Sequence, residues 1–161
     1  MQSTPIRSFT ELNAWRKSRE VRKAISALVK AWPAEEKYRL TDQIIRSSRG
    51  PCSNIAEGFG RFHEKDNARF CRMAKGSLSE TMDHLSAAFD EGYIDKTSLK
   101  EHWTLLEETI RVLNGYIRYL RKFEPPDGVA EPQQAYGEEI PIFVAPPTDL
   151  DPEELHAQPG N

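Results

Sequence analysis

Three groups of side chains in this chain have the type and spacing to do chemistry. The first is cationic. Arg16, Arg19, Lys23 and Lys30 recur on one side of a predicted first helix, and Lys65, Arg69 and Arg72 on one side of a predicted third. Clustered Lys and Arg are what neutralising a row of phosphates requires. Readers of single strands also place aromatics among the bases. Here the aromatics fall mostly on core stripes, so the expected contact is with the backbone of duplex DNA or structured RNA. The second group is Glu57, a lone candidate acid or base. No second carboxylate, His or nucleophile lies at a useful local spacing, whereas Arg61 follows four residues on, in the favourable orientation for a helical ion pair. Arg46 is expected to reach Glu57 across a bend in the helix. The third is Cys52, His63 and Cys71, which fall near the corner between the second and third helices. There is no C-x-x-C and no H-x-x-x-H, and a structural zinc needs four tetrahedral ligands. Free buried thiols are therefore expected, with no metal and no cofactor. No Gly-rich phosphate loop, G-x-S-x-G or H-E-x-x-H is present either. No catalytic residue is assigned, and the expectation is a protein that is not an enzyme.

These groups must be carried by helices. Ser8-Phe9-Thr10-Glu11 reads as a capping box that starts the first helix, with Leu12, Trp15, Val21, Ile25, Leu28 and Val29 as its buried stripe. Trp32-Pro33 stops it. The second helix is predicted from about Pro33, with Glu35 and Glu36 against its positive end, to Phe59, where Gly58 and Gly60 end it; the third from about Glu64 to Glu91, closed by Gly92; and the fourth from an Asp95 cap to about Lys122. In the fourth, Leu99, Trp103, Leu106, Ile110, Leu113, Ile117 and Leu120 alternate steps of four and three, a seam that predicts the bundle's own core, with an oligomer contact as the rival reading. Short connections between long helices predict antiparallel neighbours. The fold class is all-α, an antiparallel up-and-down four-helix bundle over residues 1–123.

The segment from Gln43 to Gly58 departs from an ordinary core helix. Its apolar face is Leu40, Ile44, Pro51, Ile55 and Phe59. A second row of Gln43, Ser47, Gly50 and Asn54 is small and polar. Pro51 removes a donor and clashes with the Ser47 carbonyl, at about 3 kcal/mol or more in a helix interior, and predicts a kink there. Asn54 is expected to satisfy the backbone groups that Pro51 frees.

In this segment the chain resembles a family of bacterial four-helix bundle proteins, whose members include proteins encoded by intervening sequences within 23S ribosomal RNA genes. The resemblance is carried by Gln43, Arg46, Ser47, Asn54-Ile55-Ala56-Glu57-Gly58, Phe70, and Gly76-Ser77 with Glu80 a turn on. Phe9-x-x-Leu12-x-x-Trp15 is similar to that family's opening, and the likeness spans roughly Ile6 to Phe123. It implies a bundle, a homopentamer and no established catalytic residue. A more distant relative by fold is the accessory protein of diversity-generating retroelements, a basic pentamer working with nucleic acid and a reverse transcriptase. The same resemblance therefore implies a role beside nucleic acid.

Composition bounds the rest. The chain has 161 residues, suited to one domain. No run approaches the roughly 18 apolar residues a membrane span needs. No apolar segment opens the chain, so a secretory signal is expected to be absent. Two cysteines suit a reducing, cytoplasmic setting. The net charge of −3 conceals an asymmetry: residues 1–123 hold all 22 Lys and Arg with 16 acids, a net of +6, and residues 124–161 hold nine acids and no base, a net of −9. That tail also carries eight of the 11 prolines without helical or strand period, and is expected to be disordered. Ile140, Phe143 and Val144 form an apolar island in it. The competing expectation for function is thus a protein-interaction adaptor, or a reverse-transcriptase accessory subunit, using the tail or the bundle surface. A tail of this charge competes with phosphate for the basic rows. Deleting residues 124–161 should tighten binding to RNA or duplex DNA in fluorescence anisotropy, with affinity falling steeply as salt rises. Unchanged affinity after deletion contradicts the masking role.

Overall fold

A computed structural model of the protein describes residues 6–61 and 63–122. Ile140, Phe143, Val144 and the rest of the acidic segment lie outside the described residues. Four α-helices account for most of the described chain: α1 (Asn13–Leu28), α2 (Leu40–Phe59), α3 (Glu64–Asp90) and α4 (Lys96–Arg121). Among the described residues there is no strand. α1 packs on α2 and α4, and α3 packs on α2 and α4, around one core. Val21 and Ile25 from α1, Ile44 and Ile55 from α2, and Leu78 and Leu85 from α3 are fully or almost fully buried in it. The α4 seam joins them. Leu99, Leu106, Ile110, Leu113, Ile117 and Leu120 are buried and Trp103 half-buried, so a single chain uses this stripe as its own core.

The start of α1 differs from the expected capping box. Ser8 Oγ accepts from the Thr10 amide (3.2 Å), and Glu11 accepts from the Arg7 amide (3.3 Å) instead of reaching Ser8. A single 3-10 turn, Phe9–Glu11, is closed by the Glu11 amide on the Ser8 carbonyl (3.0 Å) and the Leu12 amide on the Phe9 carbonyl (3.1 Å), and Leu12 then goes extended before α1 begins. The extended step sends Leu12 into the core, where it is 4% exposed, and Phe9 meets Trp15 edge-on at 5.3 Å.

The second helix also begins later than predicted. After Trp32 the chain makes a 3-10 turn, Ala34–Tyr38, and Arg39 breaks the helix at φ −120°, ψ −115°. The connection between α1 and α2 is therefore longer than a few residues. The cause is Glu36. Its carboxylate accepts from the Leu40 amide (3.2 Å) and from the Tyr93 hydroxyl (3.2 Å), whose ring packs on Trp32. A side chain that bonds nearby backbone competes with continuation of the helix.

From Leu40 the helix runs unbroken through Pro51, which is buried. The small row forms a seam with α3. A methyl placed at Gly50 would lie 2.7 Å from Ser77 Oγ, and one at Gly58 would lie 2.8 Å from Asn67 Oδ1 and 2.9 Å from Phe70 Cβ. Thr81 Oγ1 is hydrogen-bonded to Ser47 Oγ at 2.9 Å in the buried part of the seam. As the residue number rises on α2, its partner's number falls on α3. Gly58 was expected to end α2; it instead lies inside the helix and lets α3 approach. Gln43 is exposed and takes no part. Asn54 makes no hydrogen bond among the described residues, so it does not serve the groups freed by Pro51.

α3 closes at Gly92, whose φ of +71° is the left-handed conformation glycine adopts without strain. Gly92 and Tyr93 amides bond back to Phe89 (2.9 Å) and Ala88 (2.8 Å). Asp95 caps α4 by accepting from the Ser98 amide at 2.7 Å, as predicted.

The two glycines of the seam differ in what a side chain would meet. At Gly50 the obstacle is chiefly a serine side chain that can rotate away. At Gly58 it includes the Asn67 backbone carbonyl at 3.1 Å. Gly58→Ala should destabilise by about 1–3 kcal/mol through overpacking. Gly50→Ala should cost less, because alanine regains about 0.5–1 kcal/mol in a helix. Urea unfolding of both variants checks this; equal losses contradict it.

Candidate nucleic-acid interface

The residues with catalytic potential are committed to structure. Glu57 forms its expected ion pair with Arg61 on the surface, and the Arg61 guanidinium lies over the Phe70 ring at 5.0 Å. Arg46 does not reach Glu57: it pairs with Asp42 one turn earlier, at 3.6 Å. An i, i+4 neighbour on the same helix face outcompetes a residue three turns away.

Cys52 and Cys71 are buried free thiols on different helices. Burial pushes the Cys71 thiol up to about 12, only weakly opposed by Arg72. Burial also raises the Cys52 thiol, against the opposing pull of Arg22 and Arg19. Neither thiol is therefore an activated nucleophile at neutral pH. Cys71 Sγ contacts Asn67 Oδ1 at 3.5 Å, while Asn67 donates to the Tyr116 hydroxyl at 3.0 Å. Burial raises the Tyr116 phenol, and the Asn67 bond partly offsets that. Among the described residues no cluster of three or more His, Cys, Asp or Glu could hold a metal.

The cationic residues behave differently. α1 and α2 enclose a groove of about 510 Å³ lined by Arg22, Lys23, Ser26, Ala27, Lys30, Arg49 and Ser53. Helical spacing explains the α1 wall. Arg22, Ser26 and Lys30 are four residues apart and stack along one face, with Lys23 and Ala27 beside them. Arg49 and Ser53 repeat the same spacing on α2. All four charged lining residues are cations. None of them makes an ion pair or hydrogen bond among the described residues.

Several cations elsewhere are neutralised locally. Lys17 pairs with Glu20 (3.0 Å) and Glu108 (3.6 Å), and the hydrogen bond it donates to Glu20 leads the effects that hold its ammonium above its ordinary range. Arg39 pairs with Glu36. Four uncompensated like charges on one groove repel one another in the folded state, an arrangement that a bound polyanion relieves.

Of the sequence-predicted row on the first helix, Lys23 and Lys30 line this groove. Arg19 does not line it, though it lies close enough to oppose the rise of the Cys52 thiol. Arg16 is held elsewhere, its Nε donating to the Thr10 carbonyl at 2.9 Å. Lys65, Arg69 and Arg72 are exposed on α3 and do not line the groove, so the two predicted rows do not make one site. Sequence reasoning missed Arg22, Arg49, Ser26 and Ser53. Arg22 lies at the edge of the buried stripe beside Val21, and Arg49 lies inside a segment dominated by its small residues. The i, i+4 repeats Arg22-Ser26-Lys30 and Arg49-Ser53 were the available signal.

Comparison with known proteins places this geometry in context. The model of the 23S rRNA-intervening sequence protein family matches residues 10–115. The fold is similar to a crystal structure of a protein of unknown function from the S23 ribosomal protein family of Bacteroides thetaiotaomicron VPI-5482. That match has a TM-score of 0.61 and 24% identity, and covers 65% of this chain and 98% of that one. No curated protein matches the chain.

Proposed function

The chain belongs to the 23S rRNA-intervening sequence protein family, and we propose that it is a non-enzymatic oligomeric bundle that binds RNA or DNA by its phosphate backbone through the groove between α1 and α2. The observation that carries this reading is the convergence of Arg22, Lys23, Lys30 and Arg49 with no acidic partner among the described residues. Arg and Lys are donors only, and phosphate oxygens are acceptors only, so the two surfaces complement each other. No aromatic lines the groove, which leaves no platform for stacking a base. Binding is accordingly sequence-tolerant. The absence of an enzymatic role is supported by Glu57 being committed to Arg61 and by the burial of both thiols. The falling register of α2 against α3 supports an antiparallel up-and-down bundle, and among the described residues no helix is long and apolar enough to cross a membrane.

Assembly is supported by α3. Gly76 sits in its interior with nothing within 4 Å of where a Cβ would lie, and Met73 one turn before is 49% exposed. An interior glycine costs a helix about 0.5–1 kcal/mol, and no contact among the described residues accounts for it. Close approach of a second copy does. The number five rests on the family resemblance alone. Light scattering should give about five chains for the native protein and a smaller species for Gly76→Gln; a native monomer at micromolar concentration overturns the assembly.

For the groove, neutralising four phosphates predicts a log–log salt slope of about −3.6 per protomer on duplex DNA. Arg22→Glu with Arg49→Glu should weaken binding about 100-fold in anisotropy at low salt. Lys96→Glu with Lys100→Glu, the same change of net charge on the exposed surface of α4, should weaken it much less. Equal losses would show that only net charge matters and remove the groove from the account.

A further inference from the structure

We infer that the groove distinguishes RNA from DNA, with the hydroxyls of Ser26 and Ser53 receiving ribose 2′-hydroxyl groups. The inference rests on the phosphate-binding reading above and adds the class of nucleic acid. Serines inside helices ordinarily turn their hydroxyls back onto the carbonyl of the preceding turn. Here Ser18 donates to Ala14 (2.8 Å), Ser48 to Ile45 (3.0 Å), Ser77 to Met73 (3.3 Å) and Ser79 to Lys75 (3.3 Å). Ser26 and Ser53 make no hydrogen bond among the described residues, and both line the groove. Two uncommitted hydroxyls therefore stand beside four uncommitted cations, on facing helices.

The chemistry of the lining gives them distinct work. Arg22, Lys23, Lys30 and Arg49 only donate, and Ala27 does neither. The oxygens of Ser26 and Ser53 are thus the only side-chain acceptors among the described residues that line the groove. A DNA backbone presents acceptors and no donor, so it satisfies the cations and leaves these oxygens unmatched. Each ribose adds a 2′-hydroxyl that donates as well as accepts, the group by which a protein tells the two nucleic acids apart. An RNA strand held by its phosphates can supply a donor to each serine oxygen and take the serine proton in return.

The test uses the full chain and three labelled duplexes of one sequence: RNA, DNA, and 2′-fluoro RNA. The fluoro duplex keeps the A-form helix but lacks the donor. At about 50 mM salt, where backbone contacts are strong, RNA should bind on the order of 10-fold tighter than the other two, as expected for one or two hydrogen bonds. Ser26→Ala with Ser53→Ala should lower RNA affinity to that of DNA and leave DNA affinity unchanged, with the melting temperature checked for retained fold. Equal affinity of the native chain for all three duplexes overturns the inference. So does an RNA preference that survives in the double variant, which assigns it to helix shape. A loss shared equally by RNA and DNA overturns it too, since the hydroxyls then contact phosphate. In each of these cases the phosphate reading stands. If no duplex binds at all, that reading fails as well.

Discussion

The close approach of α2 to α3 is the constraint on which the rest of this molecule depends. Gly50 and Gly58 leave bare backbone where α3 presents Ser77, Asn67 and Phe70, with gaps too small for a methyl group. Ile44 and Ile55 enter the core from the same helix. Two such contacts set the rotation of α2 about its axis. Successive residues of a helix are about 100° apart, so Arg49, the neighbour of Gly50, is turned off the seam and onto the α1 side, and Ser53 follows it one turn later. A shift of that rotation would bury Arg49 or carry it away from Lys23 and Lys30. Packing and charge placement are therefore one problem in this helix.

Much of this was legible in the residues themselves. The four-three spacing from Leu99 to Leu120 marks α4's core stripe, and Asp95 and Gly92 mark the turn before it. The small row at Ser47 and Gly50 marks the seam. Three features were not legible, and each depends on contacts distant in sequence. Glu36 reads as a favourable first-turn acid, and only its bond to Tyr93 explains why the helix starts after it. Gly58 reads as a terminator until Asn67 and Phe70 are seen against it. The groove joins residues 22–30 to residues 49–53, and no local period connects the two stretches. The sequence reading named Lys23 and Lys30 on α1 and a second basic row on α3, and passed over Arg49 and Ser53 on α2.

Electrostatics divides the surface in the same manner. Lys17, Arg39, Arg46 and Arg61 each have a carboxylate nearby. Exposed pairs of this kind contribute little to stability, about 0–1 kcal/mol each, but they cancel the field around them. The α1–α2 groove keeps its field, because no acid lines it. The groove thus brings four uncancelled cations together on two helices, and the uncommitted serines lie there too.

Lysine footprinting measures this arrangement most directly. Native protein is acetylated briefly with a water-soluble reagent, with and without a saturating RNA duplex, and each lysine is quantified by mass spectrometry. Lys23 and Lys30 should be protected by the RNA, while Lys96 and Lys100 on α4 react as before. Protection spread evenly over all four lysines, or confined to Lys96 and Lys100, would contradict a phosphate site between α1 and α2.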